Sequence, residues 1–121
     1  MASALTIAAF EDISGVIPIA DLSRRIELAN ATVLAHAASH DRSGMGSTLV
    51  GAAVVENGSD TEVVVFHVGD SRCYSWDGGE VALVTRDHSE VQELVDRGAI
   101  TQEDAEVHPS RNVITRAIGA D

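Results

Sequence analysis

Val63-Val64-Val65-Phe66-His67-Val68-Gly69-Asp70-Ser71-Arg72 passes from a dense β-branched run into Gly-Asp-Ser, and Cys73-Tyr74-Ser75-Trp76 follows with strand character of its own. Gly tolerates positive φ, and Asp and Ser hydrogen-bond the nearby backbone, so the junction reads as a tight reversal between two strands. Asp70 then stands at a strand end. A carboxylate on so rigid a support can contribute to a metal or catalytic site without the slack of a long loop. The plainer alternative is that Asp70 only caps the turn. For a lone Gly-Asp that reading is the better one, so the flanking segments decide.

Upstream, Asn57-Gly58 marks a hairpin between a strand over about 48–55 and one over 62–68. Downstream, Asp77-Gly78-Gly79 turns the chain into a further strand at about 80–85, which completes an antiparallel meander. Ahead of the strands, apolar residues recur at three- and four-residue spacing through Leu22, Ile26, Ala29, Val33 and Ala37, which predicts a helix from Ile19 to Ser39. Arg24, Arg25, Glu27 and Asn30 fall on its opposite, solvated face. Residues 1 to about 12 read as a short Ala-rich helical piece, before the breaker-rich Ser14-Gly15-Val16-Ile17-Pro18. Helices layered on an antiparallel sheet make the fold class α+β.

Beyond the strands, Asp87 or Ser89 opens a helix that runs through Leu94 and Val95 and that Gly98 stops. Thr101-Gln102-Glu103-Asp104 is a capping-box variant opening a second helix, which must end near His108-Pro109. Two short polar helices after a sheet read as a surface subdomain, where recognition usually resides. The expected organisation is a helical layer (1–40), antiparallel strands (44–86), flap helices (87–110) and a return strand (111–121).

Eight basic against nineteen acidic residues give a net charge of −11 over 121 residues. That field repels phosphate backbones and argues against nucleic-acid binding, while leaving room for a multivalent cation. Hydropathy offers no membrane span, and Leu5-Thr6-Ile7-Ala8-Ala9-Phe10 lacks the basic start and cleavage site of a signal peptide. The single Cys73 cannot form an internal disulfide, so a reducing cytoplasm is the expected home.

Three metal or phosphate readings are weighed on the same residues. His36 and His40 have metal-ligand spacing, but Ala37 stands where the zinc-protease motif needs Glu, so both read as surface residues near a helix end. Gly44, Gly46 and Gly51 lack the helix and the Lys-Ser or Lys-Thr pair of a phosphate loop. A metal protein built on His36, His40, His67, His88 and His108 ranks last, because those residues lie on unlike elements. His67, on an apolar strand, reads as a satisfied core histidine.

Taken together, Gly44-Met45-Gly46-Ser47-Thr48-Leu49-Val50, His67 to Tyr74, Thr85-Arg86-Asp87-His88-Ser89 through Leu94-Val95, and Arg111-Asn112-Val113-Ile114-Thr115-Arg116-Ala117-Ile118-Gly119 resemble the central portion of a bacterial protein phosphatase of the PPM (PP2C-like) family. Four segments in the right order carry more weight than any one short motif.

The resemblance implies a partial PP2C-like α-β-β-α sandwich and hydrolysis of phosphoserine and phosphothreonine in a phosphoprotein substrate. The family uses a water bridging two Mg²⁺ or Mn²⁺ ions. It places Asp70 at an auxiliary third metal site and Asn112 in the flap stretch facing it. His88, Ser89 and Arg111 fall in the substrate-facing flap. The family's Asp-Gly-x-Gly-Gly, Asp-Gly and Asp-Asn metal motifs have no counterpart in these residues, so no catalytic residue is assigned. The expectation is a portion of a phosphatase, inactive as an isolated chain. The alternative is a non-catalytic pseudophosphatase or interaction module that binds a partner through the flap. Half a sandwich also leaves an apolar face bare, so Leu49, Val54, Val64 and Val81 are expected at an exposed or partly covered surface that promotes self-association.

Overall fold

The computed structural model describes residues 1–41 and 44–120; Arg42 and Ser43, in the loop expected before the first long strand, and Asp121 lie outside the described residues. The elements are α1 (Ala2–Ala8), β1 (Ile17–Pro18), α2 (Ile19–Ser39), β2 (Leu49–Asn57), β3 (Asp60–Val68), β4 (Tyr74–Trp76), β5 (Val81–Leu83), α3 (Glu90–Asp96) and α4 (Gln102–Val107). The α+β class expected from the sequence is the one observed.

Helix α2 buries Leu22, Ala29, Val33 and Ala37, the stripe its periodicity marks out. Ala29 and Val33 pack with Ala2, Leu49 and Ile118 in one core cluster, and Leu22 packs with Ile17 and Val55 in a second. Phe66 of β3 touches both clusters and stacks on Phe10 at 5.8 Å between ring centroids. Burial of these side chains against one face of the sheet is the main favourable term holding helix to strand.

The far side of α2 is more than a solvated face. Arg25 is largely buried and donates from Nε to Asp21 Oδ2 (2.8 Å) and from Nη1 to the Ala9 carbonyl (2.9 Å) and Asp12 Oδ1 (2.5 Å). It therefore ties the α1–β1 connection to α2 and holds the Asp12 and Asp21 carboxyls below the usual range. Asn30 Oδ1 accepts the Gly119 N–H at 2.7 Å, linking residues far apart in sequence.

β1, β2 and β3 form one sheet in that order, with β1 parallel and β3 antiparallel to β2. The β2–β3 hairpin closes through Gly58-Ser59, Gly58 taking φ +68°. The inner face carries Leu49, Ala53, Val55, Val64, Phe66 and Val68 against the helices. Two of the four residues expected at a bare surface, Leu49 and Val64, are therefore inward. Val54 and Val81 are 41% and 69% exposed.

Among the described residues a continuous meander is not formed: β4 pairs with β5 alone, in a separate two-stranded ribbon. The reason lies at Gly69, whose N–H and C=O bond to His88 and so turn away from any hairpin with β4. Its φ is +108°, and a Cβ there would stand 2.6 Å from Thr48 Cγ2, so glycine is required by both torsion and space.

The return strand expected over 111–121 is likewise not a ladder among the described residues. It makes single bridges, Ile114 to Ser89 and Ile118 to Ser47. Between them the chain bends, ending at Gly119 (φ +93°), where a Cβ would come within 2.7 Å of the Met45 carbonyl.

Candidate functional site

The Asp70 turn and the start of the flap meet in one seam. Thr48 Oγ1 and Ser71 Oγ hydrogen-bond at 2.6 Å, fixing the turn to the beginning of β2. Arg72 grips Asp87 as a fork: Nε lies 2.9 Å from Oδ1 and Nη2 lies 2.7 Å from Oδ2, both donating. Such two-point pairing is geometrically demanding, and Asp87 holds the guanidinium more firmly protonated than usual. Next to it, His88 N–H donates to the Gly69 carbonyl at 3.0 Å, and Gly69 N–H donates to His88 Nδ1 at 2.9 Å.

His67 stacks on His88 at 4.4 Å between centroids, with the planes 18° apart. Its Nδ1 lies 3.3 Å from the Gly69 carbonyl. His67 is half-buried and stands outside the core clusters, not in the core as expected of it, and its ring partner is His88 at the flap entry. Burial pushes His88 below its ordinary pKa of 6.5; His67 and Arg116 push the same way, and Asp87 opposes them.

The other residues singled out in the sequence take distinct places. Ser89 is 2% exposed and is the N-cap of α3, its Oγ accepting the Gln92 N–H at 3.2 Å. Its hydroxyl is occupied by the helix. Arg111 and Asn112 are exposed and line a cleft of about 160 Å³ that also contains Arg72 and Asp87. Arg111 Nη1 donates to the His108 carbonyl at 3.1 Å. Asp70 is half-buried, and its carboxylate has no hydrogen-bond or ion-pair partner among the described residues.

His36 and His40 stack on each other at 4.0 Å, and His108 Nδ1 accepts the Ser110 N–H at 3.0 Å. Among the described residues no group of three or more His, Cys, Asp or Glu is placed to hold a metal ion. Mg²⁺ requires near-octahedral oxygen coordination, usually through one or two carboxylates together with water and phosphate oxygens, and a two-metal site needs carboxylates for both ions. Asp70 alone does not meet that demand, so the donor set here does not fit a two-metal centre.

Sequence reasoning missed the Arg72–Asp87 fork and the His67–His88 stack. The adjacent pair Asp87-His88 was legible as a helix entry. Nothing in the local pattern says that both side chains reach back to residues 67–72.

Helices lie over a mixed sheet, and a two-helix flap is fastened to a Gly-Asp-Ser-Arg turn, an arrangement shared with solved PP2C-like phosphatases. No family model matches the chain. It superposes on the Mycobacterium tuberculosis serine/threonine phosphatase PstP/Ppp with a TM-score of 0.84 and 36% identity, over 99% of this chain and 52% of that one. For Stp1 of Staphylococcus aureus the TM-score is 0.72 and the identity 40%, over 83% of this chain and 38% of that one. The serine/threonine phosphatase stp of Listeria welshimeri is 39% identical over 101 residues, 83% of this chain. A PstP catalytic domain solved with 2 manganese ions superposes with a TM-score of 0.78 at 33% identity, over 98% of this chain and 49% of that one. The chain belongs to the bacterial PPM family of serine/threonine phosphatases. It spans 38% of the Listeria relative's length. No helix among the described residues is long and apolar enough to cross a membrane.

Proposed function

We propose that the chain is the flap-bearing central part of a metal-dependent phosphoserine/phosphothreonine protein phosphatase, and that by itself it turns over no phosphomonoester. The observation that carries this reading is Asp70 beside the flap seam with no group of three or more metal-ligating side chains around it among the described residues. Exposed Arg111 and Asn112 at the cleft beside Arg72 offer hydrogen-bond donors to a phosphoprotein segment lying on the flap. The unpaired Cys73 supports a reducing, cytoplasmic setting.

The test is Mn²⁺-dependent hydrolysis of p-nitrophenyl phosphate by the purified chain, with Asp70→Ala alongside. Both proteins are expected to match the buffer rate. Metal-dependent turnover by the wild-type chain that Asp70→Ala abolishes would contradict the proposal.

A further inference from the structure

We propose that His88 is a proton-operated latch: in its neutral form it fastens the flap to the turn that carries Asp70, and protonation releases it. The latch is a matter of hydrogen-bond direction. Gly69 N–H donates to His88 Nδ1, so that nitrogen must carry a lone pair. An imidazolium has N–H groups on both ring nitrogens and no acceptor, so proton uptake sets two donors against each other at 2.9 Å. Other ties across the seam, among them His88 N–H to the Gly69 carbonyl and the Arg72–Asp87 fork, do not depend on the ring's protonation.

The surroundings of His88 resist a charge. His67 from β3 lies flat against it, and Arg116 from the segment after the flap adds a like charge. Asp87 beside it favours the proton, and Asp87 is already engaged with Arg72. Arg86, Glu93 and Asp96 line the same cavity of about 270 Å³, where Arg86 and Asp96 pair with each other. The ring is therefore neutral at neutral pH. With a folded-state pKa below 6.5, the closed seam is fully stabilised above that value. It loses stability as pH falls from there through the lower folded value.

Release would not stop at residue 88. Its carbonyl accepts the Thr115 N–H at 2.9 Å, and Ser89 bridges Ile114, so the flap entry and the following segment are held through the same residues. The device acts on how the flap entry is held against the Gly69 turn, independently of turnover.

Nuclear magnetic resonance of the 121-residue chain reads it directly, by following the His88 ring nitrogens and the exchange protection of the Gly69 amide between about pH 7.5 and about pH 5. Protection at Gly69 is expected to fall in step with the His88 titration, by about tenfold for each pH unit separating the folded and unfolded pKa values. In His88→Asn, which keeps a neutral acceptor without the titration, protection is expected to stay level. In His67→Phe, which keeps a ring against His88 and removes the imidazole whose charge disfavours a proton there, the midpoint is expected to rise. Gly69 protection that ignores the His88 titration, that titrates equally in His88→Asn, or whose midpoint is unmoved in His67→Phe overturns the proposal.

Discussion

The two faces of the β2–β3 hairpin are built from the same residue types and meet opposite surroundings. Inward, Val55 is fully buried and Leu49 is 7% exposed, both packed on helices. Outward, Val54 is 41% exposed and its cross-strand partner Val63 is 70% exposed. The β4–β5 ribbon repeats the outward case: Tyr74 pairs with Leu83 and Trp76 with Val81, which puts all four on one face, and all four are exposed. A strand that faces water on one side alternates apolar and polar residues, whereas one covered on both sides is apolar throughout. Residues 49–55 and 63–66 are of the second kind, yet their outward side is largely uncovered among the described residues, His88 reaching it at His67.

The largest effect expected from this contrast is on stability. Phe66→Ala removes a ring shared by both core clusters and is expected to cost about 3 kcal/mol in urea denaturation. Val63→Ala, on the outward face, is expected to stay within about 0.5 kcal/mol of wild type. Similar losses for the two would erase the distinction between the faces.

Next in size is association. The uncovered apolar faces are expected to make the chain self-associate, and Trp76→Lys combined with Val63→Lys is expected to shift light scattering toward monomer. A monodisperse wild-type monomer would show that these faces do not drive association.

The smallest effect belongs to the flap, which has little core of its own beyond Val91 and Ala105. Thr101 Oγ1 accepts the Asp104 N–H and Asp104 Oδ2 accepts the Thr101 N–H, each at 3.1 Å. Thr101→Ala is expected to cost about 1 kcal/mol, seen as faster amide exchange in α4 with β2 and β3 unchanged. Equal acceleration in the sheet would mean that flap and sheet open together.

What was legible in the sequence was local. The bounds of α2 follow from the periodicity between Leu22 and Ala37 and from Pro18 ahead of it. The caps at Ser89 and Thr101 follow from side chains that bond three residues on. The long-range contacts were not legible, because neither partner signals the other. Asn30 reaches Gly119, Arg25 reaches Asp12, and His67 finds His88 only after the chain has turned through the ribbon. The same limit explains the meander. Gly-Asp-Ser announces a reversal, but that Gly69 bonds to residue 88 instead of closing a hairpin depends on where the flap lands. Of the candidate site, the resemblance pointed to Asp70 and the flap, while the fork and the stack that join them came from the fold.

Among the described residues no group of three or more metal-ligating side chains comes together on this phosphatase scaffold, and the proposal is that the chain holds no binuclear metal centre. Electron paramagnetic resonance of Mn²⁺ titrated into the purified chain measures this most directly. The chain is expected to leave a signal indistinguishable from free Mn²⁺, apart from weak binding at the acidic surface that salt removes. Saturable, salt-resistant uptake of two Mn²⁺ per chain with the spectrum of a spin-coupled pair would contradict it.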